Sequence, residues 1–160
     1  MSQSYEEIIR GERLLRNAPN DRHEAICLRL HELMAGCLRQ MSATKLLAPR
    51  SIVELTAGTF VRPDLALVTS ATGKLWLVAE IISSEDHHTD TVLKKMIYEE
   101  LNLPRLWMVD PRYNNVEVYH GTTYGLALKT ILAGREILTE GLLPEFQLSM
   151  ANLFGASSSS

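Results

Sequence analysis

Two acidic residues stand inside apolar runs with the texture of covered β-strands, and they constrain the fold of this 160-residue chain more than any other feature. The stretch Lys74-Leu75-Trp76-Leu77-Val78-Ala79-Glu80-Ile81-Ile82 is nearly continuously apolar, as a strand buried on both faces reads, and Glu80 is its one acid. Asp64, in Arg62-Pro63-Asp64-Leu65-Ala66-Leu67-Val68, opens the preceding run. An ionised carboxylate in a low-dielectric interior costs several kcal/mol unless it is paired or binds a metal. The chain therefore has to bring positive charge to both places.

The segment between the runs relates the two acids. If Ala71-Thr72-Gly73 is a three-residue hairpin loop with Gly73 left-handed, Asp64 lies opposite Glu80. Opposed residues share a face, with β-carbons about 4.5–5.5 Å apart, and two like charges that close call for a cation between them. Oxygen ligands suit magnesium, which takes one or two protein carboxylates and leaves its other positions to water and phosphate oxygens; manganese fits as well. A one-residue slip would turn one carboxylate to the other face. The plainer alternative makes Asp64 a strand-entry acid and Glu80 a salt-bridged residue near a strand end.

The remaining pattern predicts an α+β chain with a mixed sheet and helices packed on it. Asn20-Asp21 offers a helix cap, and Ile26, Leu30, Leu33, Cys37 and Met41 make one apolar stripe, predicting a helix over 21–41. An amphipathic piece over 5–15 predicts a shorter helix, broken by Asn17-Ala18-Pro19-Asn20. Strands are expected at 52–55, 61–69 and 74–83, a helix at 89–101 that stops before Pro104, and a strand meander over 106–110, 116–120 and 123–131. The stretch with Gly134, Gly141 and Pro144 reads as turn-rich. With 46% hydrophobic residues, one core and one domain over 1–154 are expected, followed by a disordered Ser-rich tail at 155–160.

In the second helix Asp90, Lys94 and Tyr98 recur at steps of four and share a stripe. At about 100° per residue, Lys94 lies about 60° from Ile97, at the border of the buried face, while Lys95 points outward. From there a lysine can extend its stem over the sheet and set its ammonium beside Glu80 and a phosphate, where it would stabilise developing negative charge or orient a water. The common role for such a lysine is a solvated pair with Asp90.

Other features narrow the function classes. The net charge of -3 argues against a strongly basic nucleic-acid coating, and the middle of the chain is its acidic part, with five basic against nine acidic residues over 51–110. No apolar run reaches about 18 residues and the first ten residues lack signal-peptide character, which predicts a soluble intracellular protein. Cys27 and Cys37, ten residues apart on the first predicted helix, lie roughly 15 Å from each other and cannot bridge; they read as buried small hydrophobes. His87 and His88 beside Asp86 and Asp90 have zinc-ligand chemistry but no distant partner pair. His23 and Glu24 open the first helix, where capping and solvation compete with a place for Glu24 at a metal. Trp76, Trp107, Tyr98, Tyr113 and Tyr119 are expected in a core or interface rather than stacked on bases. No phosphate-cradling glycine loop or nucleophile triad stands at recognisable spacing.

The constellation Arg62-Pro63-Asp64, Ala79-Glu80-Ile81-Ile82-Ser83, then Asp90, Lys94 and Tyr98, then Leu106-Trp107-Met108-Val109-Asp110-Pro111, resembles the Uma family of restriction endonucleases, a branch of the PD-(D/E)XK nuclease superfamily. The resemblance runs from about His23 to Leu153-Phe154. It implies a restriction-endonuclease-like core, Asp64 and Glu80 as metal ligands, Lys94 as the catalytic lysine, and a cytoplasmic protein. The common superfamily pattern puts the lysine two residues after the acid, where this chain has Ile82, so Lys94 substitutes from the following helix. Ser84-Glu85-Asp86-His87-His88 departs from the basic linker usual in the family. The expected activity is Mg2+-dependent hydrolysis of DNA phosphodiester bonds, with a homodimer if both strands are cut; the alternative is a binding or assembly module that keeps the fold without turnover.

Overall fold

The N-terminal segment departs most from expectation, and the reason is local. Arg10 and Gly11 both have positive φ (53° and 82°), the signature of a two-residue turn that matches strand twist. Residues 5–15 are therefore not a helix: β1 (Tyr5–Ile9) and β2 (Glu12–Arg16) form an antiparallel hairpin. Glu7 and Ile9 alternate inward along β1 with period two, a pattern that the run of charged and apolar residues also allows to be read as helical.

The computed structural model describes residues 3–83 and 89–155. Helix α1 (Asp21–Leu38) begins at Asn20, whose side chain accepts a hydrogen bond from the His23 N–H at 2.8 Å, and ends three residues short of the predicted limit. Short strands β3 (Thr44–Leu46), β4 (Val53–Thr56) and β5 (Thr59–Val61) follow. The predicted strand over 61–69 is two pieces, because Pro63 cannot donate to a ladder: β5 joins a small sheet of order β2-β1-β5-β4, whereas β6 (Leu65–Thr69) belongs to the main sheet.

That main sheet has six strands. Hairpin β6–β7 (β7, Leu75–Ile81) leads through a π-helical turn (Thr89–Lys94) and helix α2 (Lys95–Glu100) to β8 (Arg105–Asp110), which pairs parallel to β7. The meander continues as β9 (Asn115–Thr122) and β10 (Gly125–Ala133), giving the order β10-β9-β8-β7-β6-β3. The C-terminal part, expected as turns, is instead a hairpin of β11 (Ile137–Glu140) and β12 (Leu143–Ser149) followed by helix α3 (Met150–Phe154). Its alternation of Leu143, Phe146 and Leu148 with polar residues was hidden by Pro144 and the glycines. Residues 156–160, most of the expected disordered tail, lie outside the described residues, as do Asp86, His87 and His88.

The sheet is covered on both faces, which is why β6, β7 and β8 read as apolar throughout. On one face Ile26, Leu30 and Met34 of α1 meet Leu65, Leu77, Ala79 and Trp107, closed over by Leu143, Phe146 and Leu153. On the other, Val61 and Tyr98 pack against Val78, Ile82, Leu106 and Met108. Trp107 is wholly buried with its ring centroid 5.3 Å from that of Phe146, and Tyr98 and Tyr119 are buried too, as expected; Tyr113 is exposed. Cys27 is buried and Cys37 half-buried, both free, and burial pushes the Cys27 thiol up to about 12.

Truncating the residue that ties the two halves of the larger core should have a large effect. Trp107→Ala is expected to destabilise the fold by about 3–5 kcal/mol, measured as a shift in the urea midpoint with an unchanged slope.

Candidate functional site: a buried cluster of acids and cations

The β6–β7 hairpin sets the site. Gly73 is left-handed at its turn (φ 71°), and the expected register holds where it matters: Leu65 faces Ala79, Ala66 faces Val78 and Leu67 faces Leu77. A shift between Leu67 and Val68 absorbs the extra loop residue on the turn side. Continuing the ladder sets Asp64, one residue before β6, against Glu80. Asp64 and Glu80 are 3% and 2% exposed.

Each acid is compensated differently. Asp64 Oδ2 accepts the Ile81 N–H at 2.8 Å and Oδ1 the Arg50 guanidinium at 3.1 Å. Arg50 also holds both oxygens of Glu24, at 2.6 and 2.8 Å, so Glu24 joins the cluster through an arginine. His23 Nε2 lies 3.1 Å from the Ile81 carbonyl oxygen and 3.6 Å from Asp64 Oδ2. Burial works to raise the Asp64 carboxyl, but the adjacent imidazole, the Ile81 N–H and the charge of Lys94 hold it below the ordinary carboxylate range. Burial works to lower His23, and the Asp64 carboxylate outweighs it and holds His23 above its usual value.

Glu80 faces the other helix. Its Oε2 accepts the Tyr98 hydroxyl at 2.6 Å and lies 2.6 Å from Lys94 Nζ. Lys94 is not at the border of the buried face but inside it, 1% exposed. The π-helical turn that ends at Lys94 takes more residues per revolution than an α-helix, so the predicted angles do not apply across it. Lys94 and Tyr98, predicted on one stripe, do converge on one carboxylate. Tyr98 is held well above its ordinary value by burial and by Glu80, so it stays a donor.

Glu7 is a member of the site that was not expected. It reaches in from β1, 1% exposed, donating none of its own protons and accepting three hydrogen bonds: from Lys94 at 2.8 Å, Arg16 at 2.5 Å and the Arg62 N–H at 2.7 Å. Burial opposes its ionisation, but Lys94, Arg16 and the Arg62 N–H hold its carboxyl below the usual range. The available signal was the two-residue turn at Arg10-Gly11, which makes β1 a strand and aims Glu7 inward. Nothing in the sequence marks Arg50, which reaches Asp64 from a left-handed position (φ 58°).

The donors at this strand end are oxygens and guanidinium or ammonium groups. No cluster of three or more His, Cys, Asp or Glu side chains is arranged as a metal cage among the described residues. Two buried carboxylates on neighbouring strands remain, and that set fits a hard divalent ion whose other ligands are water and phosphate.

The sequence matches the Uma2 family, described as "Putative restriction endonuclease", over residues 2–151. The chain belongs to this family. A solved structure with the same fold is "a putative nuclease belonging to DUF820" from Anabaena variabilis: TM-score 0.76 at 15% identity, covering 93% of this chain and 89% of that one. That likeness shows the fold, an α+β arrangement of a mixed sheet with flanking helices. No curated protein matches the sequence.

Two variants test the electrostatics. Lys94→Met leaves Glu7 and Glu80 buried without their shared cation and is expected to cost about 3–5 kcal/mol in urea denaturation at neutral pH. Because the Glu7 and Asp64 carboxyls are depressed in the folded state, the stability that they contribute is complete above their ordinary values and is lost as pH falls through the folded ones. Glu7→Gln is therefore expected to be less stable at neutral pH and to show a shallower loss of stability on acidification than the parent, read from urea midpoints at pH steps down the acid range.

Proposed function

We propose that the protein is a metal-dependent endonuclease that hydrolyses phosphodiester bonds in DNA, with Asp64 and Glu80 as metal ligands and Lys94 as the catalytic lysine. The observation that carries this reading is a pair of buried acids on neighbouring strands, with Lys94 Nζ 2.6 Å from Glu80 and its charge felt at Asp64. Family membership supports the reaction class.

Mg2+, or Mn2+ in its stead, held by the two carboxylates would supply Lewis-acid charge at a phosphate oxygen and a more acidic bound water. The protein's own groups do the rest. Asp64 is kept ionised and aimed by Arg50 and the Ile81 N–H. Glu80 is fixed by the Tyr98 hydroxyl. Lys94, held in line by Glu7, stabilises charge that develops on the phosphate in a site with little water to screen it. Attack by water would be direct, without a covalent enzyme intermediate. One domain over 1–154 carries the site, and cutting both strands of a duplex would take two copies of it. A cytoplasmic setting agrees with this role; no helix among the described residues is long and apolar enough to cross a membrane.

One observation favours a second reading, a binding or assembly module without turnover: Asp64 and Glu80 already have protein cations, Arg50 at 3.1 Å and Lys94 at 2.6 Å. Nicking of supercoiled plasmid separates the two. The purified chain is expected to nick with Mg2+ or Mn2+, to stop in EDTA, and to lose roughly a hundredfold or more in rate in Asp64→Ala, on the scale of removing one charge-stabilising group. Equal rates in parent and variant would remove the catalytic assignment.

A further inference from the structure

Beside the acid cluster lies a cleft of about 270 Å3 between the start of α1, the residues after β7 and the β8–β9 turn. Although the chain as a whole is acidic, the described lining includes Arg16, Arg22 and Arg112 and no carboxylate. His23 lines it as well, so the cleft abuts the residue that sits 3.6 Å from Asp64.

Three independent features of this cleft suit an anion. Arg22 is exposed and spends its guanidinium on neutral acceptors, the Pro111 carbonyl and the Asn114 side-chain oxygen, both at 2.5 Å; a phosphate oxygen is a stronger acceptor than either. Helix α1, 18 residues long, begins at the cleft. Asn20 satisfies the His23 and Glu24 N–H groups, which leaves those of Asp21 and Arg22 at its positive end. His23 is 7% exposed and its Nδ1 has no hydrogen-bond partner; Glu24 Oε1, at 3.9 Å, is beyond bonding reach. Buried polar atoms of this kind usually have a partner. Arg112 is held by both oxygens of buried Asp110, at 3.0 and 2.9 Å, which offsets part of its charge and fixes the guanidinium in the lining; Asp21 is outside the lining.

We propose that this cleft is a non-catalytic phosphate-binding site, which takes a backbone phosphate of a nucleic-acid strand adjacent to the phosphate presented at Asp64 and Glu80. Arg22 and Arg112 clamp it, the first turn of α1 and His23 complete the shell, and Arg16 links it to Glu7 and thence to Lys94. The polymer's identity rests on the nuclease reading above; the anion site rests on the cleft itself. Phosphate contacts of this kind set the register of the strand without reading its sequence.

The test is binding in EDTA, independent of turnover. Fluorescence anisotropy of a labelled DNA duplex is followed over a salt series for the parent, for Arg22→Gln/Arg112→Gln and for the distant control Lys129→Gln. The double variant is expected to bind at least tenfold more weakly, with a log–log salt slope shallower by about two, one per lost contact, while the control matches the parent. Unchanged affinity and slope in the double variant, or no binding by the parent, overturns the proposal. Should the double variant fail to fold, amide NMR of the parent titrated with dimethyl phosphate decides: shifts confined to residues 20–23 and 112 sustain the site, and their absence there removes it. Cleft-dependent binding without plasmid nicking would sink the nuclease reading alone; Asp64-dependent nicking with cleft-independent binding would sink this one alone.

Discussion

A single ammonium group bridges the small N-terminal sheet and the main sheet. Lys94 Nζ is shared between Glu7 of the small N-terminal sheet and Glu80 of the main sheet, at 2.8 and 2.6 Å, with all three side chains almost wholly out of water. Each of these ions would be costly alone, and together with Arg16 they neutralise one another. The hairpin at the N-terminus is therefore not an appendage: its inward acid sets where the lysine can be, and through the lysine it sets the state of the strand-borne acid.

The same logic governs the second acid. Asp64 takes its compensation from Arg50, from the Ile81 N–H and from the imidazole at the start of α1, and it also feels the charge of Lys94. The two acids therefore share a strand end and one lysine while each keeps partners of its own. The site acquires contributions from β1, α1, the β3–β4 connection, the residue before β6, β7 and the helix after it. Such a network is stiff, because moving any member exposes another to an uncompensated charge.

Much of this was legible in the sequence. The apolar runs around Asp64 and Glu80, the left-handed Gly73 and the resulting register could be read because strand alternation and turn chemistry are local. The family resemblance rested on those same residues. What escaped did so for identifiable reasons. Glu7 was hidden because a five-residue strand of mixed charge and aliphatic residues satisfies helical and strand periods alike, and only the Arg10-Gly11 turn distinguishes them. The β11–β12 hairpin was masked by proline and glycine, whose punctuation outweighed a genuine alternation. Arg50 lies in an irregular connection, where no periodicity predicts direction, and the depth of Lys94 depended on a departure from α-helical pitch that residue types do not announce.

That departure also bears on how such a site could change over evolutionary time. A π-helical turn closes its hydrogen bond one residue later than an α-helical one, and such turns are frequent at functional sites. Here the extra residue rotates a lysine into the interior while the strand carrying the acids is untouched. The position of the cation and the position of the carboxylates are thereby encoded in separate segments, so an insertion or deletion in the helix can switch the charge set on or off without rebuilding the sheet. A lysine carried on the strand itself would have no such freedom.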